Sequence, residues 1–119
     1  MRGSAALVHP EGGTVENERR EALDLCRGLL SQEGFTVSWA PGPARHRVRP
    51  PDLLATNGSR HVRIIVLLER EVDAPEAQAR IRASLSEGET RVCVPWPLRW
   101  RALSNLQRWG LNGASVAGW

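Results

Sequence analysis

Five consecutive branched or aliphatic residues, Ile64-Ile65-Val66-Leu67-Leu68, follow an Asn57-Gly58 dipeptide in this chain of 119 residues. An amphipathic helix, or a strand with one wet face, would interrupt such a run with polar side chains. The run therefore reads as a strand covered on both sides. Asn57-Gly58 is the strongest short hairpin signal, because both central positions of a type I′ turn need positive φ. The first strand of that hairpin is predicted over Asp52–Thr56, released by the punctuation of Pro50-Pro51. A doubly covered strand demands helices on both faces of its sheet.

The flanking segments supply them. Residues 1–13 hold three glycines and a proline without periodicity and read as a flexible arm, leaving 14–119 as one domain. Thr14 is positioned to cap a helix to about Glu33, with Glu16 and Glu18 in its favourable first turn. Ala22, Leu25, Cys26 and Leu29 make its predicted inward stripe; Glu18 falls within that stripe, at what reads as a frayed, exposed end. Gly34 ends the helix, and Phe35–Trp39 alternates as a strand. After the hairpin, Asp73 with Glu76 and Pro75 starts a helix that Gly88 closes, with Ala77, Ile81 and Leu85 facing inward. Arg91–Val94 is a short strand stopped by Pro95-Trp96-Pro97. A helix over Leu98–Trp109 turns Leu98, Ala102, Leu103, Leu106 and Trp109 to one arc and Trp100, Arg101, Ser104 and Arg108 to the other. Ala114–Ala117 is the last strand. The order α-β-β-β-α-β-α-β implies an α/β (α+β) domain with a mixed sheet flanked by helices.

Charge and cysteine content bear on partners and compartment. All sixteen basic residues are arginine, so no lysine ammonium is available to any chemistry. Residues 45–70 carry six arginines against Asp52 and Glu69, residues 71–90 carry two against five acids, and residues 90–119 carry four with no acid. Two basic segments around an acidic one suggest a face for a polyanion. No run reaches the roughly 18–20 apolar residues of a membrane span, and the N-terminus lacks a signal-peptide core. A cytoplasmic protein without a membrane partner is expected, with Cys26 and Cys93 as reduced, buried thiols in no metal-binding spacing. His46 and His61 read as loop and strand positions, not ligands.

The element order, Gly34-Phe35 after a glutamate-bearing helix, and the segment RPPDLLATNGSRHVRIIVLLE together resemble the restriction-endonuclease-like PD-(D/E)xK superfamily, nearest to small Holliday junction resolvases. The resemblance implies a domain that holds Mg²⁺ through a hairpin aspartate, the glutamate of a Glu-x-Lys and a first-helix glutamate, with hard oxygen donors that generate hydroxide and stabilise phosphorane charge. By position these are Asp52 and Glu18. A hairpin aligned without gaps puts Ile65 where the family has its glutamate and Leu67 where it has its lysine, neither of which ligates a metal or moves a proton. A longer hairpin would let Glu69-Arg70-Glu71 stand in. Glu69, however, lies four residues beyond Ile65, about 13 Å at strand rise.

Three readings follow. In the first, the chain is a non-catalytic DNA-binding protein on a nuclease-like fold, with no cofactor, and Arg45, Arg47, Arg49, Arg60 and Arg63 contact phosphates. In the second, it is a Mg²⁺-dependent deoxyribonuclease or resolvase using Asp52, Glu69, Glu71 and Glu18, with Asp52 and Glu69 on the metal. In the third, it is an interaction module, a homodimer of the kind resolvase-like folds form, whose interface holds Trp100, Arg101 and Arg108. Trp96 and Trp100 are expected to fold over the start of the last helix as core.

Overall fold

A computed structural model describes residues 11–39 and 48–119, with side chains from residue 16 onward. Helix α1 spans Glu11–Gln32, and three strands follow, β1 (Thr36–Trp39), β2 (Leu53–Asn57) and β3 (Arg60–Val66). Helix α2 (Pro75–Glu87), strand β4 (Thr90–Val94), helix α3 (Arg99–Trp109) and strand β5 (Ser115–Gly118) complete the chain. Short 3₁₀ turns at Glu69–Glu71 and Trp96–Leu98 lie after β3 and β4. The strands form one mixed sheet in the order β1-β2-β3-β4-β5, so each pairs only with its neighbours in the chain. The first two pairings are antiparallel and the last two parallel.

The aliphatic run lies at the centre of this sheet. Ile64, Ile65 and Val66 are fully buried because β3 has strands on both sides and helices on both faces. Ile64 and Val66 join Ala22, Leu23, Cys26 and Leu30 of α1 in one core layer. Ile65 and Leu67 join Ala77 and Ile81 of α2 and Ala102 and Leu106 of α3 in the other. Alternation along a single strand thus feeds two separate cores. Each fully buried aliphatic side chain contributes about 1.5–3 kcal/mol through the area it removes from water.

Several local expectations shift. The hairpin turns on Gly58-Ser59, one residue later than Asn57-Gly58, since Asn57 still pairs with Arg60. Gly58 takes the positive φ of 64° that the turn requires. Helix α1 begins at Glu11 instead of after Thr14, and residues 1–10 of the expected arm lie outside the described residues. Its inward stripe is Arg19, Ala22, Leu23, Cys26 and Leu30, whereas Leu25 and Leu29 are exposed at 53% and 38%. Sheet β1–β5 needs a narrow, slightly rotated contact stripe, and the rotation puts Arg19, not Glu18, toward the protein. In α2 the buried residues include Arg80 and Ser84 beside Ala77 and Ile81, and in α3 they include Asn105.

Trp96 and Trp100 do not cover the start of α3. They are exposed at 55% and 69%, Trp96 in the turn between two prolines and Trp100 in the first turn of α3, on the arc opposite Ala102 and Leu106. Cys26 and Cys93 are both buried, and they meet across the α1–β4 contact. A hydrogen bond from Cys93 and burial together raise the Cys26 thiol far above its ordinary value, so it stays protonated. No helix among the described residues is long and apolar enough to cross a membrane.

Candidate functional site

The carboxyl ends of β3 and β4 and the start of β2 lie at one end of the sheet. Asp52 sits there, immediately before β2. Its backbone N–H donates to Ile64 O at 2.8 Å, so Asp52 and Leu53 both meet Ile64 where the ladder ends. The register runs without a bulge from Asn57↔Arg60 to Leu53↔Ile64 and stops short of Asp52. Ile65 is fully buried in the layer against α2 and α3, and Leu67 lies in the same layer.

Asp52 is held on every side by nitrogen donors. Its Oδ2 accepts the Val66 N–H at 2.7 Å and Arg80 Nη2 at 3.3 Å, and its Oδ1 faces Arg49 Nη2 at 3.5 Å. Arg80 reaches this position from α2, where it is only 3% exposed. The same guanidinium donates through Nη2 to Pro50 O at 2.8 Å and through Nε to Arg49 O at 3.4 Å. One side chain thereby closes the loop that enters β2. Burial pulls the Arg80 guanidinium below its ordinary value, and the Asp52 charge pulls it back up. Arginine starts so high that Arg80 stays charged across the physiological range.

The other carboxylates assigned to a metal do not converge on Asp52. Glu18 rides on α1, on the opposite side of the sheet from α2, and pairs with Arg70 at 3.1 Å. Glu69 is exposed in the 3₁₀ turn that begins after β3 has ended at Val66, so strand parity does not carry it to the face of Ile65. Glu71 pairs with Arg19 and accepts the Leu68 N–H at 2.9 Å, closing that turn. Glu18 and Glu69 do share a cleft of about 630 Å³, lined also by Glu21, Asp73, Arg101 and Trp119, and Asp52 is not among its walls. The resemblance's Mg²⁺ does not fit this donor set. Both Asp52 oxygens face guanidinium or N–H groups, and no group of three His, Cys, Asp or Glu among the described residues is arranged to hold a metal ion.

The arginines taken as phosphate contacts are dispersed. Arg45 and Arg47 lie outside the described residues. Arg49 is exposed beside Asp52 at the open end of the hairpin. Arg60 lies at the closed end, bonded to Glu89 through Nε at 3.1 Å and Nη2 at 2.6 Å and stacked on Phe35 at 5.4 Å. Arg63 is half-buried between them and donates to Ser84 Oγ at 3.1 Å. Of the interface residues, Trp100 is exposed, Arg101 pairs with Asp73, and Arg108 bonds Asn105 Oδ1 at 2.8 Å.

Two features escaped the sequence reading. Arg80 is central, yet a helical arginine between alanines and an isoleucine carries no sign that it is buried. Arg99 lies with its guanidinium 3.3 Å from the Trp96 ring centroid and 5.5 Å from that of Trp100. The spacing Trp96-x-x-Arg99-Trp100 could have suggested that stack, since positions three and four apart in a helical turn are neighbours. Compared with known protein families, curated proteins and solved structures, the chain matches none.

Proposed function

We propose that this chain is a non-catalytic nucleic-acid-binding protein on a nuclease-like scaffold, with DNA as the expected partner. The observation that carries the reading is the clamp of Arg80 on Asp52. In the enzymes that the sequence resembles, a divalent cation balances the hairpin aspartate and acts on phosphate. Here a buried guanidinium supplies that balance from inside the fold. A guanidinium held by a carboxylate and two carbonyls can neutralise charge but cannot ionise a water. Cationic side chains that remain at this end, Arg49 foremost, suit sequence-blind contact with a phosphate backbone. The helix, three antiparallel strands, helix, strand order also supports the resemblance on which the scaffold reading rests.

The test is a titration of duplex and branched DNA at two salt concentrations, with and without Mg²⁺ or Mn²⁺. Binding that weakens steeply with salt, without strand cleavage, is the expected result. Absence of binding at low salt overturns the nucleic-acid reading. Metal-dependent cleavage that Asp52→Asn abolishes overturns the non-catalytic one and restores the nuclease.

A further inference from the structure

The turn after β4 is built more firmly than a surface connection needs. Trp96 N–H donates to Trp119 O at 2.8 Å, Trp119 N–H donates to Val94 O at 3.0 Å, and Leu98 N–H donates to Pro95 O at 2.8 Å. Prolines on both sides of Trp96 restrict the backbone further. Gly118 lies so close beneath that a Cβ there would come within 2.9 Å of both Trp96 Cα and Arg99 Cγ. What this turn holds out is not covered by the protein. Trp96 and Trp100 leave more than half of their surface in water, with Leu103 exposed at 37% one turn along α3.

The cation beside these rings lies against one face of Trp96 and leaves the other face open, and its charge is not neutralised. Arg99 Nε bonds Trp96 O at 3.1 Å, and its guanidinium has no carboxylate partner among the described residues. Seven other arginines, among them Arg60, Arg80 and Arg101, do have one. No acid occurs between residues 90 and 119. Two large exposed rings with an unneutralised guanidinium within 3.3 and 5.5 Å of their centroids match a ligand that offers a π-face and an anion together.

We propose that Trp96, Arg99 and Trp100 form a stacking platform for unpaired nucleobases, so that the chain binds single-stranded nucleic acid or the open strands of a branched one. The proposal rests on the nucleic-acid reading above and names the form of the ligand. A base stacks on an indole whatever its sequence, and Arg99 answers the adjoining phosphate. In a continuous duplex the base faces are already covered by one another and cannot reach the rings. A second copy fits less well. A two-fold contact through this face would gather Arg99 and Arg108 of both copies into one interface, with no acidic side chain in residues 90–119 to offset them.

Tryptophan fluorescence tests the proposal, with a short oligothymidylate and a duplex of equal length titrated at low salt. The single strand quenches emission and binds more tightly than the duplex. Trp100→Ala, and Trp100→Leu, which keeps an apolar side chain but removes the ring, each weaken the single-strand complex by about tenfold or more. Arg99→Gln lowers the salt dependence of binding by about 0.7 in log–log slope. Unchanged melting temperatures show that the variants are folded. If both ligands bind and neither Trp100 variant weakens the single strand, the platform falls while the nucleic-acid reading stands. If neither ligand binds at low salt, both fall. If light scattering shows self-association that Trp100→Ala abolishes, with no loss of oligonucleotide affinity, the rings belong to a dimer contact and the platform is overturned.

Discussion

At the open end of the β2–β3 hairpin, Arg80 and Asp52 keep 3% and 10% of their side chains exposed; at the closed end, Arg60 and Glu89 keep 52% and 41%. The chemistry of the two pairs is the same, and the Arg60 pair has the better geometry, with two short bonds against one of 3.3 Å. Their consequences differ because water differs. Around Arg60 and Glu89 the solvent already satisfies both charges, so pairing adds little and salt removes much of it. Around Arg80 and Asp52 there is little solvent to take over, and loss of one partner strands the other. Bond length alone ranks these pairs in the wrong order.

The comparison breaks most readily at Asp52. Asp52→Ala leaves a buried guanidinium without its carboxylate and Val66 N–H without its acceptor, and we expect a loss of about 3–5 kcal/mol in urea denaturation. If the loss is below 1 kcal/mol, Arg80 is not the clamp described here. Ser84→Ala probes the middle of the hairpin. The buried Ser84 hydroxyl lies 2.7 Å from Thr90 Oγ1 and accepts from Arg63, and its removal should cost about 1–2 kcal/mol by the same measurement. The double substitution Asp52→Leu with Arg80→Met removes both charges together and should cost less than Asp52→Ala alone, with about 1–3 kcal/mol remaining because Val66 N–H still loses its acceptor.

The smallest effect is at the closed end and is read against pH. The hydrogen bond from Arg60 lowers the Glu89 carboxyl below its ordinary value of 4.5. A lowered folded-state value means stability that is present above the ordinary value and lost as pH falls through the folded one. The melting temperature of wild type should therefore exceed that of Glu89→Gln slightly above pH 4.5 and converge with it in acid. Because both side chains are exposed, 0.5 M salt should remove most of the difference. A gap that survives salt would show that the closed end is less solvated than its exposure implies.

How much of this was legible beforehand divides along the same line. Apolar periodicity and turn residues carry the element order, and the Ile64–Leu68 run announces a strand covered on both faces. The face of each residue on β3 also followed, because alternation fixes it, but the register did not: a turn on Asn57-Gly58 would set Leu53 opposite Val62, and the turn on Gly58-Ser59 sets it opposite Ile64. Local slips were one residue at the turn, where Gly58 as first central residue serves as well as Asn57-Gly58, and a rotation of α1 that exchanges Glu18 for Arg19. Such a rotation alters which polar residue meets the core at its rim and leaves the apolar count almost unchanged. The partners of Asp52 were not legible. Arg80 is buried by contacts from residues about thirty positions away, and nothing in its neighbours along the chain distinguishes it from Arg82, which is exposed. Exposure of Trp96 and Trp100 was misjudged for a related reason. Hydrophobicity predicts burial only where the backbone can turn the ring inward; Trp96 sits between two prolines, and the helical phase of Trp100 puts it opposite Ala102 and Leu106.

A sheet whose strands are laid down in the order of the chain bears on how the protein is made. As synthesis proceeds, β2 has β1 to pair with, β3 has β2, and β4 and β5 each find their partner already present. No strand waits for a later one to be inserted between itself and its neighbour. The ribosome can thus extend a growing edge, and the vulnerable moment is the interval after Val94 emerges and before residues 115–118 do. During that interval the Val92–Val94 edge has no neighbour, and a stalled or truncated chain would offer that edge to other copies.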